Sequence, residues 1–170
     1  IDCRRLKVWG RNKKNLSNYK KDVSIKGWDV EIVNSTDDIA QSCNLIITAT
    51  PSKIALLKLD KIKPGTHITA MGSDSIGKQE LAPEILDRAD LVIADSKSQC
   101  IERGEIAHAL KNKLISIDDV IELGEVINSN KDFRCRNNQI TVADLTGVAV
   151  QDIQIAKAVY KAYEELKNEI

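Results

Sequence analysis

Several features are missing from this 170-residue sequence, and each absence narrows the reading. There is no net charge, because 25 Lys and Arg offset 25 Asp and Glu. No general basic field exists to hold nucleic acid or an anionic membrane, so neither partner is expected. No apolar run approaches the roughly 18 residues of a membrane span, and the opening IDCRRLKVWG carries no apolar signal region. Cys3, Cys43, Cys100 and Cys135 lie far apart, with no Cys-x-x-Cys pair and no histidine at ligand spacing. That pattern points to no metal and to reduced, structural thiols in a cytoplasmic setting, the alternative at each being a reactive thiol. Repeats and low-complexity tracts are absent too. What is present, 42% hydrophobic and 29% charged residues, is enough for one domain with a real core.

Along the chain, strand patterns alternate with helical ones. Leu6 to Trp9 reads as a strand, Gly10-Arg11-Asn12 as a turn, and Lys13 to Asp22 as a polar helix with Leu16, Tyr19 and Val23 on one face. Val30 to Val33 follows as a short strand, and Ser35 or Thr36 caps a brief helix running to Cys43. The β-branched run Asn44 to Thr50 suits a parallel strand buried on both faces, and Pro51 ends it. Further strands are expected at His67 to Ala70, Leu91 to Ala94 and Ile140 to Val142, with a short helix opening at Pro83. Helical pattern covers Ser96 to Lys111 with a break at Gly104, then a segment capped by an aspartate of Ile117-Asp118-Asp119, and finally Val148 to Lys167. Asn128 to Asn138 is polar enough for an exposed loop. The alternation implies a doubly wound α/β fold built on a parallel sheet.

In such sheets ligands sit beyond the carboxyl ends of the strands, and this chain gathers small and polar residues there: Gly10-Arg11-Asn12, Thr48 to Ser52, Met71 to Asp74 and Asp95-Ser96. Four such ends suggest a nucleotide site. Arg11, followed by Lys13 and Lys14, stands where a fold preferring an unphosphorylated ribose would carry an acid, which fits NADP; equally, these residues begin a solvated helix. The stretch MGSDSIGKQEL, from Met71 to Leu81, reads as loop chemistry. Its Asp74 is placed either for catalysis or for an Asx-turn, and Lys78 and Glu80 either for a loop salt bridge and a helix-start acid or for ligand contact. The fingerprint G-x-G-x-x-G is absent, so the sequence belongs either to no dinucleotide protein or to the C-terminal piece of a longer one.

Two ordered blocks, MGSDSIGKQELAPEILDRADLVIADSKSQCIERGEIAHAL and ITVADLTGVAVQDIQIAKAVY, resemble the C-terminal half of the ornithine cyclodeaminase and mu-crystallin family, and VWGRN and TATPS extend the resemblance upstream. The resemblance implies that residues 1–170 form a partial Rossmann-like domain for NAD or NADP, its C-terminal helix returning to an N-terminal substrate domain that is not in the sequence. It implies that Asp74 is the catalytic carboxylate of a G-(S/A/G)-D-x-x-G-K-x-E-L motif, although Ile76 replaces the usual proline. Thr48, Ala49 and Thr50 match the strand end along the dinucleotide, Met71, Gly72 and Ser73 the nicotinamide side, and Val148 the apolar residue near the ring. Arg11 and Asn12 match the adenine-ribose end, where the mu-crystallin branch binds NADPH. The implied activity is turnover of an L-amino acid or its imine, either ornithine to proline plus ammonia or reduction of a cyclic imine, with a homodimer as the intact form. The other readings are a crystallin-like binder of NADP(H) or a small ligand without turnover, and an inactive fragment.

Overall fold

The computed structural model describes residues 3–168. In chain order it contains β1 (Arg5–Val8), α1 (Lys13–Ser24), β2 (Asp29–Ile32), α2 (Thr36–Ser42), β3 (Leu45–Thr48), β4 (Lys53–Leu57), β5 (His67–Ala70), β6 (Gln79–Leu81), α3 (Glu84–Arg88), β7 (Leu91–Ala94), α4 (Lys97–Cys100), α5 (Gly104–Lys111), β8 (Val120–Glu122), α6 (Leu123–Asn128), β9 (Thr141–Asp144) and α7 (Ala149–Asn168). Local chemistry explains several boundaries. Asn12 caps α1 by accepting the Asn15 amide at 3.0 Å. At α2, Ser35 and Asp38 form a reciprocal capping box, which holds two amides that the first turn cannot bond. The expected break between α4 and α5 falls at Gly104, whose φ of +89° a side chain adopts only with strain.

Three strands differ from the sequence reading. Lys53–Leu57 and Gln79–Leu81 pair in parallel as a separate two-stranded sheet, although QEL reads as part of a polar loop. The helical segment expected after Ile117 is a 3-10 turn over Ile117–Asp119, capped by Ser116 and not by an aspartate; strand β8 and then α6 follow it. A capping box signals only the first turn, and here the chain leaves that turn directly into the sheet.

All strand pairs among the described residues are parallel. The main sheet has the order β3-β5-β9-β7-β8, with β1-β2 as a second pair. One register row, Ile46, Ile68, Val142, Val92 and Val120, crosses all five strands, and every member is buried. The expectation that Asn44 to Thr50 is buried on both faces does not hold: β3 is the edge strand of the sheet, and its residues alternate between exposed and buried. Ile85 and Leu86 of α3 and Ile106 and Ala109 of α5 complete the core against the buried row. At the edge, β3 leaves Leu45 and Ile47 exposed. Helix α7 is exposed along its length, and Ile155, Ala156, Val159, Tyr160 and Tyr163 line an apolar depression on it. No described helix is long and apolar enough to cross a membrane.

Ile68 sits at 0% exposure in the middle of the row, between β3 and β9. Ile68→Ala is expected to lower the unfolding free energy by about 2–5 kcal/mol, read as a shifted urea midpoint with an unchanged slope. Ile47→Ala, on the open edge, is expected to cost well under half of that.

Candidate functional site

The row at the carboxyl end of the sheet runs Thr48, Ala70, Asp144, Ala94 and Glu122. Its small residues let the following loops converge. Gly72 lies so close to the chain after β3 that a Cβ there would overlap the backbone N and O of Thr50 and the Glu80 carboxyl. Only glycine permits that approach.

Glu80 holds the crossing in place. Its side chain is fully buried, with Oε1 accepting the Thr50 amide at 2.6 Å and Oε2 the Gly72 amide at 2.9 Å. A second buried acid stands behind it: Glu105, at the start of α5, accepts the amides of Glu80 and Leu81 at 2.7 and 3.0 Å. Burial pushes the Glu105 carboxyl above the usual carboxylate range, against the pull of the nearby Ser73 hydroxyl and of these amides. The sequence reading of Glu80 as a loop acid or ligand contact therefore gives way to a structural clamp. Its signal was the apolar neighbour Leu81 in a stretch otherwise read as loop.

A parallel arrangement orders the chain after β9. Asp95, just past β7, accepts the Ser96 amide at 2.9 Å, the Thr146 hydroxyl at 3.2 Å and the Gly147 amide at 2.7 Å. This fixes the turn leading into Val148, which is half-buried. Asp144 is fully buried; Oδ2 accepts the Ile106 amide at 2.8 Å, and Oδ1 has no hydrogen-bond partner among the described residues. Burial, with Glu105 and Asp95 nearby, pushes its carboxyl up to about 8. A side chain at Gly104 would strike both Asp144 oxygens and Thr146, so this glycine is demanded by space as well as by φ. The Cys100 thiol lies 3.6 Å from Asp95 and is pushed up to about 12, first by burial and then by Asp144 and Asp95. It is a packed thiol and not a nucleophile.

Asp74 differs from these acids by being exposed. Its Oδ1 accepts both the Lys78 ammonium at 2.6 Å and the Ser75 hydroxyl at 2.8 Å, and Lys78 foremost holds the carboxyl below its usual range. Beside it, Ser73 is buried with its hydroxyl unpartnered, as is the Thr48 hydroxyl. Met71 is half-exposed, Ala49 exposed and Thr50 half-buried. Thr48, Ala49, Thr50, Met71, Gly72, Ser73, Asp74 and Val148 thus all lie at or just beyond the carboxyl ends of neighbouring strands β3, β5 and β9. Arg11 and Asn12 follow β1 of the separate pair; Arg11 is exposed, and the Asn12 side chain is engaged as the cap of α1.

A parallel sheet with its small residues, glycine crossing and unpartnered hydroxyls gathered at the carboxyl edge defines a doubly wound fold of the NAD-binding kind. The chain belongs to the ornithine cyclodeaminase/mu-crystallin family, which it matches over residues 1–167. It is 36% identical over 169 residues to the uncharacterized cyclodeaminase y4tK of Sinorhizobium fredii, covering 95% of this chain and 50% of that protein. An archaeal alanine dehydrogenase dimer with bound NAD superposes with a TM-score of 0.88 at 32% identity, over 100% of this chain and 52% of its own. The Δ1-pyrroline-2-carboxylate reductase of Thermococcus litoralis, in complex with NADH and L-proline, gives 0.87 at 25% identity over 96% and 51%. The chain spans about half the length of these relatives.

Two measurements check the buried acids. Glu80→Ala strips two part-buried amides of their acceptor, and each is expected to cost about 1–3 kcal/mol in chemical denaturation. For Asp144 the sign follows from a folded-state pKa raised above 3.8. The folded chain keeps a proton that the unfolded chain has released, so stability falls as pH climbs from about 4 through about 8 and levels off above. Asp144→Asn is expected to flatten that fall between pH 5 and 8, while the slope due to Glu105, raised in the same direction, persists in both proteins.

Proposed function

We propose that this chain supplies the cofactor side of an NAD(P)-dependent enzyme acting on an L-amino acid or its imine, either a cyclodeaminase that turns ornithine into proline and ammonia or a reductase of a cyclic imine such as pyrroline-2-carboxylate. The observation that carries this reading is the exposed Asp74 at the same sheet edge as the Gly72 crossing and the unpartnered Thr48 and Ser73 hydroxyls. A ligand of this fold class lies across the carboxyl ends of neighbouring parallel strands, and Asp74 is the exposed charged group that this chain sets there.

The residues fit the nicotinamide half of a dinucleotide. Thr48, Ala49 and Thr50 would lie along it, Met71, Gly72 and Ser73 beside the ring, and Val148 against its apolar face, while Arg11 and Asn12 would take the adenine-ribose end. When bound, NAD(P) exchanges a hydride with the Cα of the substrate. Asp74 is the group of this chain positioned to manage protons as an amine or water attacks the imine carbon and ammonia departs. Arg11, exposed and with no carboxylate within 4.0 Å among the described residues, favours NADP over NAD. The four free cysteines accord with a reducing, cytoplasmic setting. The apolar stripe of α7 accords with a C-terminal helix returning to a substrate domain, and with a homodimer as the working form.

A complete protein carrying this chain is expected to oxidise NAD(P)H with pyrroline-2-carboxylate if a reductase. If a cyclodeaminase, it is expected to release ammonia and proline from ornithine with no net change in NADH absorbance. Asp74→Ala is expected to lower turnover by at least about 10²-fold while the cofactor dissociation constant stays within a few-fold. Cofactor binding without either activity sinks the enzyme reading in favour of a binding protein.

A further inference from the structure

Arg103 is a cation set among acids, none of which pairs with it. Its backbone is fixed at the carboxyl edge of the sheet. The Arg103 amide donates to Gln99 O at 3.1 Å, and the next residue, Gly104, lies against both Asp144 oxygens and Thr146. One residue further, Glu105 holds the amides of Glu80 and Leu81, so the chain enters α5 between the end of β9 and the segment that follows β5. The Arg103 side chain is part-buried. Its Nε is sealed from solvent with no hydrogen-bond partner, and no carboxylate comes within 4.0 Å of the guanidinium among the described residues.

The acids of this edge are engaged elsewhere. Glu80 and Glu105 have their oxygens on backbone amides, and Asp95 accepts from the Ser96 and Gly147 amides and the Thr146 hydroxyl. Asp144, pushed up to about 8, carries a proton at neutral pH and offers no counter-charge. Asp74 has Oδ1 on Lys78 and Ser75; Lys78 first, and Arg103 more weakly from further off, hold its carboxyl below the usual range. A guanidinium stays charged, so a sealed donor without an acceptor is a standing cost that an anion from outside the chain would remove.

We propose that Arg103 is a specificity-determining residue that receives a carboxylate of the substrate. The inference rests on the reading of this edge as the nicotinamide side of the site, and it names the group that selects acids there. An α-amino or α-imino acid carries its nitrogen and its carboxylate on one carbon. Asp74 and Arg103 offer such a molecule one negative and one positive group that are not spent on each other. The planar fork of a guanidinium takes a carboxylate through two parallel N–H···O bonds, which a lysine cannot reproduce. A cofactor phosphate is the poorer occupant, because it brings negative charge towards the Asp74 carboxylate. The carboxylate is either the one beside the nitrogen or a second one at the far end of a dicarboxylic substrate.

The test titrates L-proline, pyrrolidine and succinate into the complete protein with NADH bound, for the parent and Arg103→Gln, by isothermal calorimetry. Arg103→Gln is expected to weaken L-proline by about 10- to 100-fold and to leave pyrrolidine, the same ring without the carboxylate, within about twofold. Weakening of succinate with L-proline unchanged assigns Arg103 to the second carboxylate. The proposal is overturned if neither acid is weakened, if pyrrolidine weakens as much as L-proline, if the parent binds none of the three, or if NADH is what weakens. Arg103→Lys keeps the charge without the fork; it is expected to lose about 3- to 10-fold, and it serves if Arg103→Gln does not fold. With the acid that the protein turns over, KM is expected to rise by the same factor as the dissociation constant while kcat changes by less than about threefold. Binding that follows Arg103 without turnover of any acid sinks the enzyme reading and leaves the carboxylate site standing, so the two failures are distinct.

Discussion

The carboxyl edge of the sheet depends on one side chain, Glu80, whose two oxygens each take a backbone amide from a different strand end. Thr50 follows β3 and Gly72 follows β5, so the bidentate contact fixes the spacing of the two loops. The β3–β5 ladder ends with the Met71 amide donating to Thr48 O at 2.8 Å, and beyond that bond Glu80 is what ties the two loops together. A buried acid is costly unless its lone pairs are engaged, and the amides engage both oxygens here. Glu105 repeats the device one layer deeper, on the amides of Glu80 itself and Leu81. Two acids in series thereby connect the start of α5 to the ends of β3 and β5.

The same edge holds acids of opposite character. Asp144 is sealed among Ile106, Gly104 and Thr146, and its pKa rises; Asp74 stands in the open beside an ammonium, and its pKa falls. Burial decides the first and an adjacent cation the second. Asp95 is given to backbone and hydroxyl donors that shape the Thr146-Gly147 turn. Of Glu80, Glu105, Asp95, Asp144 and Asp74, only Asp74 is exposed.

Much of the architecture could be read from the chain because its strands are apolar runs, even though only the central strand β9 is buried at every position and the edge strand β3 alternates buried with exposed residues. Runs such as LIIT and LVIA announce parallel strands through β-branched and aliphatic residues alone, although only LVIA is buried along most of its length. The small and polar strand ends marked the edge for the same reason, since they interrupt those runs. Strands β4 and β6 were not legible: QEL is three residues long, and its pairing is fixed by a partner more than twenty positions away. Glu80 was misread because its role exists only in three dimensions, its acceptor geometry being set by residues 30 and 8 positions away. An aspartate of Ile117-Asp118-Asp119 reads as a helix cap because a capping box has one local signature, whether a helix or a single turn follows.

The order β3-β5-β9-β7-β8 places the last of the described strands in the middle of the sheet. During synthesis, β5 and β7 emerge from the ribosome with no neighbour between them, and each shows an unpaired edge until Thr141–Asp144 arrives. The sheet therefore closes late, through contacts of long sequence separation, which makes folding slow and exposes the half-built edges to misassociation. Synthesis that stops short of residue 144 leaves two half-sheets and no continuous core, so the carboxyl edge on which the site stands cannot form before β9 has been made.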